Sequence, residues 1–222
     1  MPFSIFRLQT LRGANVVGLL LGMALFSMFF FLSLYLQQVL GYSALETGFA
    51  FLPLAVLIIV SSTVASQLVT RTGARPTLVV GMLLITGALV WFSQVSAGGS
   101  YVGDVLFPAL IVAVGLGFAF VPVTIAAVTG TRPDEAGLAS GLINTSQQIG
   151  GALGIAILTT VATTRTESLL SSGTAQAQAA TDGFSLAFWV GAGFALVSLV
   201  TTLLVLRRED LRVETEPAGA AG

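Results

Sequence analysis

Charged residues occur in clusters along this chain, and long stretches without any charge separate the clusters. Six such stretches are present: Arg12 to Glu46, Glu46 to Arg71, Arg75 to Asp104, Asp104 to Arg132, Glu135 to Arg165 and Asp182 to Arg207. A helix crosses the hydrocarbon core of a bilayer with roughly 20 mostly apolar residues, so each stretch has room for one span. The pattern predicts an all-α, polytopic membrane protein with six transmembrane helices at 14–38, 47–69, 76–96, 104–128, 136–162 and 184–206.

The other residues fall into short connections and two polar ends. We expect a cytoplasmic N-terminal segment at 1–13, a six-helix transmembrane domain at 14–208 and a disordered cytoplasmic tail at 209–222. The connection 165–182 is rich in Ser, Ala, Gln and Thr, and we expect it to be a mobile loop.

Composition excludes several classes of function. Hydrophobic residues make up 55% of the chain and charged residues 9%, whereas soluble domains carry about 25% charged residues. The net charge is −1 and no basic run occurs, so the sequence gives no support for nucleic-acid binding. Because cysteine and histidine are both absent, we expect no enzyme activity, no catalytic residue, no metal site and no cofactor.

The arginines predict the orientation. With a cytoplasmic N-terminus and six spans, all arginines except Arg165 lie on the inner side: Arg7, Arg12, Arg71, Arg75, Arg132, Arg207, Arg208 and Arg212. Cytoplasmic loops of membrane proteins are enriched in basic residues in this way. We therefore expect a multi-pass protein of the bacterial plasma membrane with both termini in the cytoplasm.

Polar and small residues recur on one face of the first helix. At spacings of three and four, the residues on this face are Asn15, Gly18, Gly22, Phe26, Phe30, Ser33 and Gln37. Gly18 and Gly22 form a GxxxG pair, which allows two helix backbones to approach closely. Two interpretations remain open for the face as a whole: ordinary helix packing, or the wall of a cavity that binds a ligand.

The fifth helix has a sharper pattern. Its small and polar face consists of Gly137, Gly141, Asn144, Gln148 and Gly151, and Ser140, Gln147 and Gly154 flank that face. Amide side chains in hydrocarbon are costly unless they form hydrogen bonds. This face predicts either tight packing against a neighbouring helix bundle or direct contact with a substrate.

The remaining spans carry less information. The fourth contains Pro108, Gly115, Gly117 and Pro122, which predict a bent helix that either lines a cavity or is purely structural. The third and sixth have few polar interior residues and are predicted to be peripheral helices that face lipid. Away from its ends no span carries an ionisable side chain, although proton-driven transporters usually need one.

Two segments resemble a known family. The connection 66–76 (SQLVTRTGARP) resembles the G-x-L-x-D-R-x-G-R-[RK] loop of the major facilitator superfamily, with Arg71, Gly73 and Arg75 matching and Ser66 and Thr70 departing from the pattern. Residues 133–154 (PDEAGLASGLINTSQQIGGALG) are similar to the penultimate helix of its fourteen-helix drug:proton antiporter branch. Segments 6–15 and 29–43 are also similar to that branch, so the resemblance covers almost the whole chain.

The resemblance implies that the chain forms the C-terminal six-helix half of the major facilitator fold. It also implies that the first and fourth helices line the cavity, which makes Phe26, Phe30, Ser33, Tyr35 and Gln37 candidate substrate-binding residues. The second and fifth helices are then expected to meet the other half. In this family the proton-coupling carboxylate and the main antiporter motif belong to the N-terminal half.

Two hypotheses follow. The first is a proton-coupled efflux antiporter for amphipathic or cationic small molecules, completed by an N-terminal half of six to eight helices on the same or a separate polypeptide, with the lipid bilayer as its surroundings. The second is a truncated or split, non-transporting membrane protein that packs with a partner half or with itself.

Overall fold

Each of the six charge-free stretches forms a helical rod in the computed structural model, which describes residues 9–129 and 135–205. The helices are α1 (Gln9–Leu34), α2 (Ala44–Ala50), α3 (Leu52–Thr72), α4 (Ala74–Phe92), α5 (Phe107–Val128), α6 (Ala136–Ser171) and α7 (Gln176–Val205). Tyr35–Val39 continues α1 as a π-helix, and Tyr101–Leu106 precedes α5 as another. Within the described residues no strand occurs, as the all-α prediction requires.

Several predictions concern residues outside the described ranges. These are most of the segment 1–13, the tail 209–222, and Arg7, Arg132, Arg207, Arg208 and Arg212.

Five of the rods are long and apolar enough to cross a membrane. They are Thr10–Val39, Ala44–Thr72, Ala74–Phe92, Tyr101–Val128 and Gln176–Val205. The sixth rod, α6, is 36 residues long, but its glycine, amide and hydroxyl side chains lower its hydropathy. Its buried face packs against α1 and α7, so α6 forms part of the same bundle as the five apolar rods.

The predicted mobile loop at 165–182 is wrong. Helix α6 continues to Ser171 and α7 begins at Gln176, so the connection has only four residues. Ala and Gln have high helix propensity, and the run 176–180 is built from them. Packing adds to this preference, because Ala179 is fully buried and its carbonyl accepts a hydrogen bond of 3.2 Å from the Thr166 hydroxyl.

Local chemistry divides the second predicted helix and separates it from the third. Ser43 caps α2 in a reciprocal arrangement with Glu46, whose carboxylate accepts a 2.8 Å hydrogen bond from the Ser43 amide. Pro53 lies in the first turn of α3, where its missing N–H costs least. Only Gly73 separates α3 from α4, and its φ of 91° suits a residue without a Cβ.

Helix α1 lies at the centre of the bundle and α3 at its edge. In their most apolar windows, 61% of the α1 residues are buried, compared with 17% for the rod Ala44–Thr72. Within this chain α4 and α7 are buried to 44% and 39%, so neither is its most exposed rod, and that they face lipid stays a prediction. Helix α7 packs against α1, α4 and α6, whereas α3 packs mainly against α5.

The glycines of α5 serve close packing on two sides. A Cβ added to Gly115 would lie 2.9 Å from the carbonyl oxygen of Gly81 on α4, and one added to Gly117 would lie 2.5 Å from the amide nitrogen of Ser62 on α3. The hydroxyl of Ser61 donates a 3.0 Å hydrogen bond to the Ala113 carbonyl, which joins α3 to α5. For these two glycines, the structure supports the packing interpretation.

Candidate substrate surface and helix interfaces

The polar face of α1 has two halves with different surroundings. Near the start of α1, Gly18 and Gly22 are buried against α6. Farther along, Phe26 is 42% exposed and Phe30 is 38% exposed. The packing interpretation therefore holds for the first half of the face, while for the exposed second half the cavity wall stays a prediction.

The first half of this face forms a close interface with α6. A Cβ added to Gly22 would collide with the backbone of Gln147, and one added to Gly150 with the backbone of Leu19. The Ser146 hydroxyl donates a 2.7 Å hydrogen bond to Oδ1 of Asn15, which satisfies two polar groups between the helices. We call the contact formed by Gly18, Gly22, Gln147, Gly150 and Gly154 the α1–α6 seam.

The predicted face of α6 is rotated away from this seam. Gly137, Gly141, Asn144 and Gln148 are exposed, and a Cβ added to either glycine would meet nothing within 4 Å. Only Gly151 of the five is buried, with its added Cβ 2.7 Å from Cγ of Phe26. The first four residues therefore make no helix packing inside the described chain and leave an open, polar surface.

Sequence reasoning missed Gly150 as the centre of the seam. The signal was present, because Gly150 and Gly154 repeat the four-residue spacing of Gly18 and Gly22 on the facing helix. The sequence pattern places Gly154 only at the flank of the predicted face. In the structure a Cβ added to Gly154 would lie 2.6 Å from Cα of Met23, so this residue belongs to the seam.

The second half of the α1 face forms a mixed aromatic and polar surface. Phe26, Phe30, Ser33 and Gln37 follow one another along it, and the Gln37 amide donates a 2.9 Å hydrogen bond to the Ser33 hydroxyl. We call these four residues the α1 row. The aromatic rings can stack on apolar ligands, while the amide and the hydroxyl can exchange hydrogen bonds with polar ones.

Tyr35 does not belong to the α1 row. Its side chain is fully buried, and its hydroxyl donates a 2.9 Å hydrogen bond to the carbonyl of Ser96 in the connection after α4. Residue 35 lies two positions after Ser33 and so points to another side of the helix. The structure separates Tyr35 from the other four candidate residues and gives it a role in holding that connection.

A pocket of about 240 Å³ adjoins the α1 row at the ends of α1, α6 and α7. Phe30 lies at one side, and the paired rings of Phe31 and Phe184, with centroids 5.8 Å apart, form an apolar wall. The remaining lining residues come from all three helices: Leu34, Gln38, Thr159, Ala162, Thr163, Thr166, Glu167 and Ala180. Its lining, apolar with a few polar groups, is of the kind found in small-molecule sites, but its volume is below their usual range of about 300–1,000 Å³.

The loop motif connects the start of α4 to the end of α7. Arg75 lies in the first turn of α4, and its Nη2 donates a 2.7 Å hydrogen bond to the carbonyl of Leu203 in the last turn of α7. A cation at this position stabilises the negative end of a helix dipole. Arg71 lies in the last turn of α3 and is exposed, so the two arginines of the motif have different surroundings.

Replacing Arg75 with glutamine should lower the stability of the bundle. Loss of the charged contact with Leu203 is expected to cost about 0.5–1 kcal/mol, because the site is only partly buried. For a domain of this size the apparent unfolding midpoint in detergent should fall by about 1–4 °C. Arg71→Gln provides the matched control and should leave the midpoint unchanged; an equal fall in both variants would contradict the specific role of Arg75.

The structure defines the chain as a polytopic, α-helical membrane protein. Its described residues contain no group of three or more His, Cys, Asp or Glu side chains that could hold a metal ion. The model of the Major Facilitator Superfamily matches residues 2–155. The chain belongs to this superfamily, as the resemblance indicated.

Bacterial resistance and export proteins are among the relatives. The chain is 38% identical to the puromycin resistance protein pur8 of Streptomyces alboniger over 91% of its own length and 41% of that protein. It is 36% identical to the cephamycin export protein CmcT of Amycolatopsis lactamdurans over 72% of its length and 33% of the relative. For the tetracenomycin C resistance and export protein of Streptomyces glaucescens, identity is 34% over 71% of the chain and 29% of the relative. The chain thus spans well under half the length of these relatives.

Proposed function

We propose that this chain forms the C-terminal helix bundle of an efflux transporter that exports amphipathic or cationic small molecules in exchange for protons. The α1 row carries the proposal: it leaves two phenylalanine rings beside an amide and a hydroxyl on the exposed side of the central helix. The relatives are named for resistance and export, and these names lend no support to the non-transporting alternative.

The proposed partner is an N-terminal half of six to eight helices, on the same or a separate polypeptide. Its contact surface consists of the exposed sides of α3 and α6, including Gly137, Gly141, Asn144 and Gln148. Small residues allow a second bundle to approach, and the amides supply hydrogen bonds to it. Away from their ends the described spans carry no Asp, Glu, Lys, Arg or His side chain, so we assign the proton-coupling carboxylate to that half.

The transport proposal is tested by efflux through the completed transporter. With an N-terminal half present, everted membrane vesicles should accumulate a fluorescent organic cation when a proton gradient is imposed. Phe30→Ala should lower the initial rate about tenfold, because a buried aromatic contact with a ligand contributes about 1–2 kcal/mol.

Phe49→Ala is the matched control, since Phe49 is also exposed but lies on α2 outside the α1 row. Its rate should equal that of the parent chain. Absence of uptake above empty vesicles would refute efflux by this protein, and equal rates for the two alanine variants would refute the α1 row as the substrate surface.

The proposed orientation places both termini in the cytoplasm of a bacterial plasma membrane. The chain contains no cysteine, so the labelling of a single introduced cysteine shows on which side of the membrane that one position lies. Leu45, which is 71% exposed at the start of α2, should react as Leu45→Cys with a membrane-impermeant maleimide added to intact cells. Exposed Thr70 in the last turns of α3 should react as Thr70→Cys only after lysis. The reverse pattern would overturn the orientation.

A further inference from the structure

A groove with two opposite charges lies between the ends of α6 and α7, away from the α1 row. It has a volume of about 440 Å³, and Arg165, Asp182, Ser185, Leu186 and Trp189 line it. None of these residues lines the pocket beside Phe30. The groove is therefore a separate feature of the surface.

The two charged side chains of this groove do not pair with each other. In residues 9–129 and 135–205 neither Arg165 nor Asp182 forms a salt bridge, although both line the same groove. One carboxylate oxygen of Asp182 accepts a 3.0 Å hydrogen bond from the Gln178 amide, which leaves the other oxygen to a ligand. Arg165 is exposed, and its guanidinium has five N–H donors.

The polarity of the groove changes along the helix axes. Arg165 is six residues from the end of α6 and Asp182 six residues from the start of α7, so both lie about 9 Å from the helix ends. Leu186 and Trp189 lie about one and two turns deeper along α7. They are 37% and 49% exposed. Charged groups thus lie above an apolar floor that ends in a tryptophan, a residue enriched at membrane interfaces.

We propose that this groove binds one phospholipid whose headgroup carries both a phosphate and a primary ammonium group, as in phosphatidylethanolamine. Arg165 binds the phosphate, for which the guanidinium fork is well shaped. Asp182 accepts hydrogen bonds from the ammonium group. Leu186 and Trp189 contact the glycerol and the first methylene groups of the acyl chains. The two charges lie at one level above the apolar surface, as the headgroup of the lipid lies above its acyl chains.

Two other charged residues serve as references, one at the level of the groove and one at the opposite end of the bundle. Glu167 lies two residues from Arg165, but its side chain lines the other pocket, so Glu167→Gln removes an acid at the same height without touching the groove. Arg71→Gln removes an exposed arginine from the last turn of α3. These two substitutions separate the effect of the groove from that of net charge.

The test measures which lipids the purified full chain retains. The chain is delipidated in detergent, incubated with equal amounts of phosphatidylethanolamine and phosphatidylglycerol of the same acyl composition, and freed of excess lipid before the retained lipid is quantified. The parent chain should retain phosphatidylethanolamine about fivefold over phosphatidylglycerol, since one charge contact near a membrane surface changes affinity by about this factor.

The substitutions should show what each charge contributes to the preference for phosphatidylethanolamine. Arg165→Gln should lower retention of both lipids about fivefold, whereas Asp182→Asn should lower only that of phosphatidylethanolamine and bring the ratio to about one. Glu167→Gln and Arg71→Gln should retain the parental ratio. An unchanged ratio of the two lipids in Asp182→Asn, or a ratio of about one in Glu167→Gln, would overturn the proposal.

A soluble headgroup distinguishes a lipid from a free zwitterion. Glycerophosphoethanolamine at the concentration of the lipid should not compete, because it lacks the acyl chains that Leu186 and Trp189 contact. Equal competition would overturn the lipid as the occupant and indicate a soluble zwitterionic ligand. Unchanged thermal unfolding midpoints of the variants without added lipid confirm that each one is folded. Since the assay uses no transport, its outcome is independent of the efflux proposal.

Discussion

Replacing Gly22 with leucine is expected to prevent the chain from forming a stable bundle. The added Cβ would meet the backbone of Gln147, whose carbonyl carbon lies only 3.0 Å away, and a backbone cannot rotate aside as a side chain can. Overpacking of a core usually costs about 1–3 kcal/mol, and separating two helices also removes the neighbouring contacts of the seam. The amount of monodisperse protein after size-exclusion chromatography in detergent should fall at least tenfold.

The same substitution at other glycines gives a graded series of controls. Gly151→Leu should be milder, because the atoms nearest to its added Cβ belong to the side chain of Phe26. Gly141→Leu should fold as well as the parent chain, since an added Cβ there has open space around it and leucine favours helix more than glycine does. If Gly22→Leu and Gly141→Leu yielded equal amounts of folded protein, the α1–α6 seam would not hold the bundle together.

The sequence located the helices well but not their ends. Charges mark where the hydrocarbon core must stop, whereas a helix can continue beyond the membrane wherever propensity and packing allow. This is why α6 extends to Ser171 and α7 starts at Gln176, inside the loop expected at 165–182. The buried Ala179 and the hydrogen bond from Thr166 supply contacts between the two helices that no periodicity within one helix reveals.

The faces of the helices were predicted better than their partners. Spacing of three and four residues correctly placed Gly18 and Gly22 together, and the facing pair Gly150 and Gly154 repeats it. Small and polar residues, however, cover more than half of the circumference of α6. Periodicity cannot say which part of so wide a surface meets α1 and which part stays open, and the contacts of Gly150 decide the matter.

The candidate substrate residues show the same limit. Four residues of the α1 face share one side of the helix in sequence and in structure, while Tyr35 entered through family resemblance alone. Its burial under Ser96 depends on a connection that lies far away along the chain. A contact of this kind is determined by tertiary packing and leaves no mark in the local pattern.

In a transporter completed by an N-terminal half, Gly141→Leu is expected to abolish most of the efflux although this chain folds normally. We expect this because Gly141 belongs to the open, polar face of α6 that we propose as the contact with the other half. A leucine there would hold the two backbones apart, which should weaken their association about five- to 150-fold for a cost of about 1–3 kcal/mol. Proton-driven uptake into everted vesicles measures the loss of efflux, and co-purification of the two halves measures the loss of their association.

Ala156→Leu adds similar bulk at an exposed position of α6 that lies outside the polar face of Gly137, Gly141, Asn144 and Gln148 and about 22 Å along the helix from Gly141, and it should leave both measurements unchanged. This comparison distinguishes a bundle interface from a general effect of larger side chains on a membrane helix. If Gly141→Leu co-purified and transported as well as Ala156→Leu, the polar face of α6 would not be the contact between halves. Its exposed Asn144 and Gln148 would then face water or a substrate, which is the second role that their pattern in the sequence allows.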